Sequence, residues 1–209
     1  MAPPVDTTRP QGILAALPLK PFTAAKGRLD GALSPAARLD LSRATAGRVV
    51  AACRGAGAAV AVVTGDAGVA SWAHDLGLEV IPEPPGGGLD GAAAAAASLA
   101  MARHEAWCIV HGDLPLLGED DVAAIVGALG QGTAVLAPSR NGGTNLLAAA
   151  GRLEFSYGPR SFSRHLAAAR HLERRVVVRL GTALDIDTPE DLQGAAALPG
   201  GSWLRAYLT

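Results

Sequence analysis

Trp107-Cys-Ile-Val-His-Gly-Asp-Leu-Pro-Leu-Leu117 is the stretch that decides how this chain is read. A short apolar run stopped by Gly-Asp and then by proline reads as a buried strand that delivers one carboxylate to a sheet edge. In an open parallel sheet, ligands lie outside the carboxyl ends of the strands, so Asp113 stands where a divalent cation can be held. The same aspartate can instead cap the turn that follows, because Gly-Asp and Leu-Pro also punctuate ordinary turns. The choice rests on what else reaches that edge.

Working outward, the elements on the N-terminal side alternate. Gly12 to Leu17 is a first strand halted by Pro18, and Leu19 to Arg28 a loop with three cations. Ser34-Pro35 pairs an N-cap with a proline at the first helical position, opening a helix that Gly55 and Gly57 stop. Ala58 to Thr64 is a second strand, Asp66 caps a helix through Leu76, and Leu78 to Ile81 is a third strand. Pro82 to Gly88 is a turn feeding a long alanine helix from Leu89 to Glu105. On the C-terminal side the reading is a helix over Glu119 to Leu129, strands at Thr133 to Ala137 and Asn145 to Ala150, a helix over Arg160 to Arg170, and a strand at Arg175 to Leu180. Such alternation predicts an α/β fold with a mostly parallel central sheet flanked by helices.

Composition narrows the function classes. At 209 residues, one domain over residues 11–209 is expected, behind a loose, polar, proline-rich tail at residues 1–10. A net charge of -1 leaves no electrostatic footprint for nucleic acid or an anionic membrane. Cys53 and Cys108 lie in apolar segments without CxxC spacing, as core thiols of a reducing compartment do. The start is not a basic-then-apolar leader, and no apolar run approaches the ~20 residues that span a bilayer, so a cytoplasmic protein is expected.

Four groups of residues can carry chemistry. Asp185 and Asp187 lie two apart on what reads as an extended strand end, so their side chains share a face, and with Asp113 they can hold Mg²⁺. The plainer alternative is that Asp187 leads into a helix capped by Thr188. Lys20, Lys26 and Arg28 directly follow the first strand, where a nucleoside triphosphate sits in a doubly wound sheet; otherwise they form a solvated basic loop. Gly86-Gly-Gly-Leu-Asp-Gly91 satisfies GxGxxG but follows the third strand instead of the first. It either lets backbone approach a base or ribose or simply makes the turn. Asn141 to Asn145 and Tyr157-Gly-Pro-Arg-Ser-Phe-Ser-Arg-His165 supply hydroxyls, N–H groups and guanidinium near a helix start, a cradle for phosphate. The five histidines, His74, His104, His111, His165 and His171, are scattered without zinc spacing and read as structural or solvent-facing. Neither a GxSxG elbow nor a GxxxxGK[ST] loop occurs, which excludes the usual α/β-hydrolase and P-loop sites.

Taken in order, Leu17-Pro-Leu-Lys-Pro-Phe, Ala25-Lys-Gly-Arg-Leu29, Gly86-Gly-Gly-Leu89, Gly112-Asp-Leu-Pro115, Gly142-Gly-Thr-Asn145, Tyr157-Gly-Pro-Arg-Ser-Phe162 with His165, and Asp185-Ile-Asp-Thr-Pro-Glu-Asp-Leu192 resemble one family. It is the phosphoenolpyruvate/2-phospho-L-lactate guanylyltransferase family of coenzyme F420 biosynthesis, and the resemblance runs from Leu17 to Leu192. It implies a single Rossmann-like, GT-A-like nucleotidyltransferase domain that condenses GTP with a phosphorylated three-carbon acid. Carried over, Asp113 and Asp187 bind Mg²⁺; on the reading of the residues themselves Asp185 joins the metal set, and Lys26 and Arg28 join the two main acids in catalysis. Leu17, Lys20, Lys26, Gly87, Gly88 and Asp90 line the nucleotide, while Thr144, Gly158 and Ser161 hold the acceptor. Gly27 stands where the family often has serine, and Asp90 where it often has asparagine. The alanine- and arginine-rich composition resembles the bacterial members associated with phosphoenolpyruvate more than the archaeal ones associated with 2-phospho-L-lactate.

The chemistry asks little of a base. A phosphate monoester, with a second pKa of about 6, is a dianion at neutral pH and is already a nucleophile. What remains is alignment and charge compensation, which suits acids with a metal and a basic loop. Two other readings compete: a nucleotidyltransferase that loads a different acceptor, against which the Tyr157 to Ser161 loop argues, and a noncatalytic nucleotide-binding module, for which a missing metal carboxylate would be the sign.

Overall fold

In the computed structural model, which describes residues 12–103 and 105–208, the Trp107 stretch supplies the central strand of a seven-stranded sheet. The expected tail at residues 1–10 lies outside the described residues. In chain order the elements are β1 (Ile13–Pro18), α1 (Pro35–Gly55), β2 (Ala59–Thr64), α2 (Ala67–Asp75), β3 (Glu79–Pro82), α3 (Gly88–Ala102), β4 (Ala106–Val110) and α4 (Glu119–Ala128). There follow β5 (Thr133–Pro138), β6 (Thr144–Ala149), α5 (Ser161–Ala168), β7 (Glu173–Val176), α6 (Leu180–Ala183) and α7 (Pro189–Ala197). The sheet order is β3-β2-β1-β4-β6-β5-β7, parallel throughout except for β6, which is antiparallel to both neighbours.

Two periodicities build the layers. Along β1, Ile13, Ala15 and Leu17 face α1, α2 and α4, and Leu14 and Ala16 face α3 and α5; along β4, Cys108 and Val110 take the first side and Trp107 and Ile109 the second. Ala92, Ala93, Ala96, Ala97 and Ala100 are the buried stripe of α3, and their missing bulk lets that helix lie close on the sheet. The caps match the sequence signals. Ser34 Oγ accepts from the Ala37 N–H, Asp66 Oδ1 from Val69, and Thr188 Oγ1 from Asp191.

Two expected elements differ. The strand expected at Arg175 to Leu180 is Glu173–Val176, because its ladder starts at Glu173 beside Thr133. The chain then leaves the sheet where Arg179 pairs with Asp121 of α4 and its N–H bonds Thr182 Oγ1, which starts α6. The extended strand end expected to carry Asp185 and Asp187 is no strand. It is a loop between α6 and α7, pinned by the Ile186 N–H donating to the Asp113 carbonyl. No helix among the described residues is long and apolar enough to cross a membrane.

Candidate active site

The sheet order contains a switch point. From β1 the chain moves outward to β2 and β3, then returns to place β4 on the other flank of β1, so the loops after β1 and β4 diverge above the sheet and leave a crevice between them. The first loop carries Lys20, Lys26 and Arg28; the second carries Gly112 and Asp113. A Cβ on Gly112 would stand 2.4 Å from Leu19 Cδ2, so the two loops pack together over that glycine. Because β6 runs backwards, it begins where β4 ends, and the His111 N–H donates to the Asn145 carbonyl. Thr144 and Asn145 therefore reach the same edge.

The carboxylates of Asp113, Asp185 and Asp187 each offer an oxygen within 4.8 Å of the others. Alternation in the Asp185-Ile186-Asp187 loop explains the last two. Ile186 is fully buried in an apolar cluster with Leu29, Leu41, Leu192 and Leu204, which leaves its two neighbours on the opposite side. Burial, then the neighbouring Asp113 and Asp187, hold the Asp185 carboxyl above the usual carboxylate range. Asp113 Oδ1 is buried with no hydrogen-bond partner. Three hard oxygen donors, one of them orphaned, fit a hard divalent cation.

The basic loop closes over this set. Leu29 is buried in the same apolar cluster as Ile186, and Lys26 Nζ donates to the Ile186 carbonyl at 2.7 Å. Arg28 stands 3.4 Å from Asp187, both side chains well exposed. Lys26 holds a left-handed backbone (φ 59°), uncommon for a residue with a Cβ, so this loop conformation carries strain. Asp187 is held from behind. Asp191 accepts from the N–H groups of Asp187 and Thr188 and from Thr188 Oγ1, and it pairs with Arg140. Burial alone would raise the Asp191 carboxyl, but those bonds outweigh it and hold it below the usual range.

On the β6 side, Thr144 and Ser161 are buried, with Ser161 Oγ 3.4 Å from Thr144 Oγ1. His165 Nδ1 lies 2.9 Å from Thr144 Oγ1, and the Ser156 N–H donates to His165 Nε2. Burial lowers the His165 pKa to about 4, with Arg164 and His111 adding to it against Asp90. Gly158 has φ 100°, which only glycine adopts freely, and its carbonyl accepts from the Ser161 N–H as α5 begins.

A family model described as guanylyl transferase CofC like matches residues 13–208. The chain belongs to that family. Among its relatives in this CofC-like family are a phosphoenolpyruvate guanylyltransferase of Rubrobacter xylanophilus (39% identical, covering 90% of this chain and 95% of that one) and a 2-phospho-L-lactate guanylyltransferase of Methanothermobacter thermautotrophicus (33%, covering 93% and 88%). A 3-phospho-D-glycerate guanylyltransferase of Phenylobacterium zucineum is 38% identical, covering 85% and 86%. A solved nucleotidyl transferase from Methanothermobacter thermautotrophicus, only 14% identical, shares the fold with a TM-score of 0.66 over 94% of this chain and 99% of that one.

Not all of the residues singled out from sequence come together in this CofC-like site. Asp113, Asp185, Asp187, Lys26 and Arg28 come together at the crevice. Lys20 is exposed at the start of the same loop, and Leu17 buries its side chain in the core, leaving only backbone for a nucleotide. Gly87 and Gly88 open α3 beyond β3, where a Cβ on Gly87 would meet the Gly91 backbone at 3.0 Å. Asp90 Oδ1 accepts from the Tyr157 N–H at 2.7 Å. It ties α3 to the loop before α5. Arg164 donates to the carbonyls of Ser156, Tyr157 and Pro159 and so shapes that loop.

Three further residues of this site received no role at the acceptor from sequence. His165, read as structural or solvent-facing, is structural: it is completely buried and hydrogen-bonded at both ring nitrogens. His111 Nε2 and the Tyr157 hydroxyl are buried without partners, with their rings 5.5 Å apart. Burial keeps the Tyr157 phenol protonated. The only available signal was the HisGlyAsp context of His111, since ring contacts to a residue 46 positions away leave no local pattern. A cavity of about 970 Å³ lies elsewhere: it is lined by α3 from Ala94 onward and by Arg152 to Phe155, toward the end of the sheet where the parallel strands begin.

Proposed function

We propose that this guanylyl transferase condenses GTP with phosphoenolpyruvate, giving enolpyruvyl-diphospho-5′-guanosine and pyrophosphate. The observation that carries the reading is the three-carboxylate cluster at the switch point with Lys26 and Arg28 across it. In a doubly wound sheet the β1-β2-β3 half is the mononucleotide half, so GTP lies along the loop after β1 and the Gly86 to Gly88 turn. The acceptor then lies on the β6 and α5 side, against Thr144, Ser161 and the Gly158 N–H.

The residues divide the work as follows. Thr144, Gly158 and Ser161 hold the acceptor's anionic groups and aim its phosphate, a dianion at neutral pH, at the α-phosphorus of GTP. That phosphate oxygen forms the new P–O bond as the bond to the β-phosphate breaks. Lys26 and Arg28 offset charge on the departing pyrophosphate. Asp113 and Asp187, with Asp185, would hold Mg²⁺, which supplies charge neutralisation to the phosphate oxygens. The unpartnered Asp113 oxygen supports that fit. Residues 11–209 act on this reading as one cytoplasmic domain, to which the buried free thiols Cys53 and Cys108 are suited.

Phosphoenolpyruvate is favoured over 2-phospho-L-lactate because the Rubrobacter relative that carries the first name is 39% identical and the Methanothermobacter relative with the second is 33% identical. The test is a mass-spectrometric assay offering GTP with phosphoenolpyruvate, 2-phospho-L-lactate or 3-phospho-D-glycerate, with Mg²⁺ and with chelator. Fastest product formation from phosphoenolpyruvate, abolished by chelator, is expected. A higher kcat/KM for either other acceptor reverses the substrate assignment, and no guanylylated product from any of them overturns the reaction.

A further inference from the structure

Resting on the acceptor reading above, we infer that His165 is a positioning residue whose Nδ1–H turns the Thr144 and Ser161 hydroxyls into donors for the acceptor's anion. The argument starts from the imidazole. A neutral imidazole has one N–H and one bare nitrogen, and the partner of one nitrogen decides the state of the other. The Ser156 backbone N–H can only donate, and it points at His165 Nε2 from 3.0 Å. Nε2 is therefore the bare nitrogen and Nδ1 carries the hydrogen. Nδ1 is 2.9 Å from Thr144 Oγ1, so the ring donates and the threonine oxygen accepts.

Counting hydrogens gives the consequence. Thr144 and Ser161 have two O–H groups between them, and their oxygens are 3.4 Å apart, so at most one hydrogen is used inside the pair. With His165 as donor, none is lost to the ring, and at least one O–H is left for an incoming anion. With the opposite tautomer, Thr144 would give its hydrogen to Nδ1 and meet a phosphate or carboxylate with lone pairs. His165 is wholly buried, so no water competes for its ring nitrogens. The arrangement is also braced on its far side, where Arg164 holds the Ser156 carbonyl and hydroxyl.

Two side-chain replacements separate this role from simple packing. The amide of asparagine reaches the position of Nδ1 and can donate to Thr144; that of glutamine reaches the position of Nε2 and can only serve the Ser156 N–H. If His165 acts through Thr144, His165→Gln raises the acceptor KM by about 3- to 10-fold, the loss of the neutral hydrogen bond that orients the Thr144 hydroxyl. His165→Asn stays nearer wild type, and the KM for GTP moves in neither. In a Thr144→Val background, His165→Gln adds nothing further. Equal KM values for Gln and Asn, or the reverse order, overturn the inference. If Thr144→Val itself leaves the acceptor KM unchanged, the acceptor site falls, and this role with it; if Thr144→Val raises it and His165→Gln does not, only the role of His165 falls. Imidazole ¹⁵N NMR of the unmutated protein at pH 7 is the check that needs no variant: a protonated Nδ1 and bare Nε2 are expected, and a protonated Nε2 refutes the argument.

Discussion

Asp185→Asn should make the cation-free protein more stable while removing most of its activity. In the folded chain Asp185 sits within 4.8 Å of two other carboxylates and is held above its usual pKa first by burial and then by them. Two unit charges at that separation repel by about 1 kcal/mol at a water-like dielectric and about 3.5 kcal/mol at an effective value near 20. Asp187 is 43% exposed and partly compensated by Arg28, so its share belongs at the screened end. Removing the charge should therefore stabilise the fold by about 1–3 kcal/mol at pH 7, or about 2–12 °C in Tm for a chain of this size. The pH dependence has a definite sign. A carboxyl with a raised folded-state pKa favours the fold below its unfolded value, about 3.9, and loses that contribution as pH rises through the folded value. Wild type in chelator should thus lose stability across that window, and Asp185→Asn should not. Saturating Mg²⁺ should reverse the ranking, because binding at 100 times Kd stabilises wild type by about 2.7 kcal/mol and the variant by less. Scanning calorimetry with EDTA and then Mg²⁺, alongside the guanylylation assay, reads all of this. A variant less stable than wild type in EDTA, or one gaining as much from Mg²⁺, refutes the reasoning.

Other outcomes follow from the same geometry. Lys26→Gly and Lys26→Ala should each lower kcat/KM for GTP by about 10- to 100-fold, yet the glycine variant should be more stable than the alanine one by about 1 kcal/mol, because only glycine relieves the left-handed backbone; equal melting curves would deny the strain. Thr144→Val should weaken use of the acceptor by about 10- to 100-fold and leave GTP titration unchanged, as single-substrate calorimetry can read. Asp191→Asn should weaken Mg²⁺ binding without touching the metal, since Asp191 holds the Asp187 N–H. The depressed Asp191 pKa contributes stability above the unfolded value that is lost as pH falls through the folded one, so acid unfolding should be steeper in wild type than in the variant, and superimposable acid limbs would count against this role of Asp191.

What could be read from the chain alone were the features with local causes. Alternation and apolar runs marked the strands, Ser34-Pro35, Asp66 and Thr188-Pro189 marked helix starts, and Asp113, Asp185 and Asp187 stood out as acids flanking buried residues. The ordered motifs were enough to suggest the family that the matched residues 13–208 bear out. Only the tertiary structure decided what depends on distant pairing. The switch between β1 and β4 and the reversal of β6 determine which loops share an edge, and no local pattern encodes them. The loop of Asp185 and Asp187 mimicked a strand because both are extended, and it differs only in having the Asp113 carbonyl, 73 residues away, as its partner. That Asp90 engages the Tyr157 N–H and Arg164 the Tyr157 carbonyl could not be read locally, because a charged side chain carries no sign of the backbone groups that will engage it. His165 was illegible for the same reason: its tautomer, and so its chemistry, is set by the Ser156 N–H and by a threonine on a different strand.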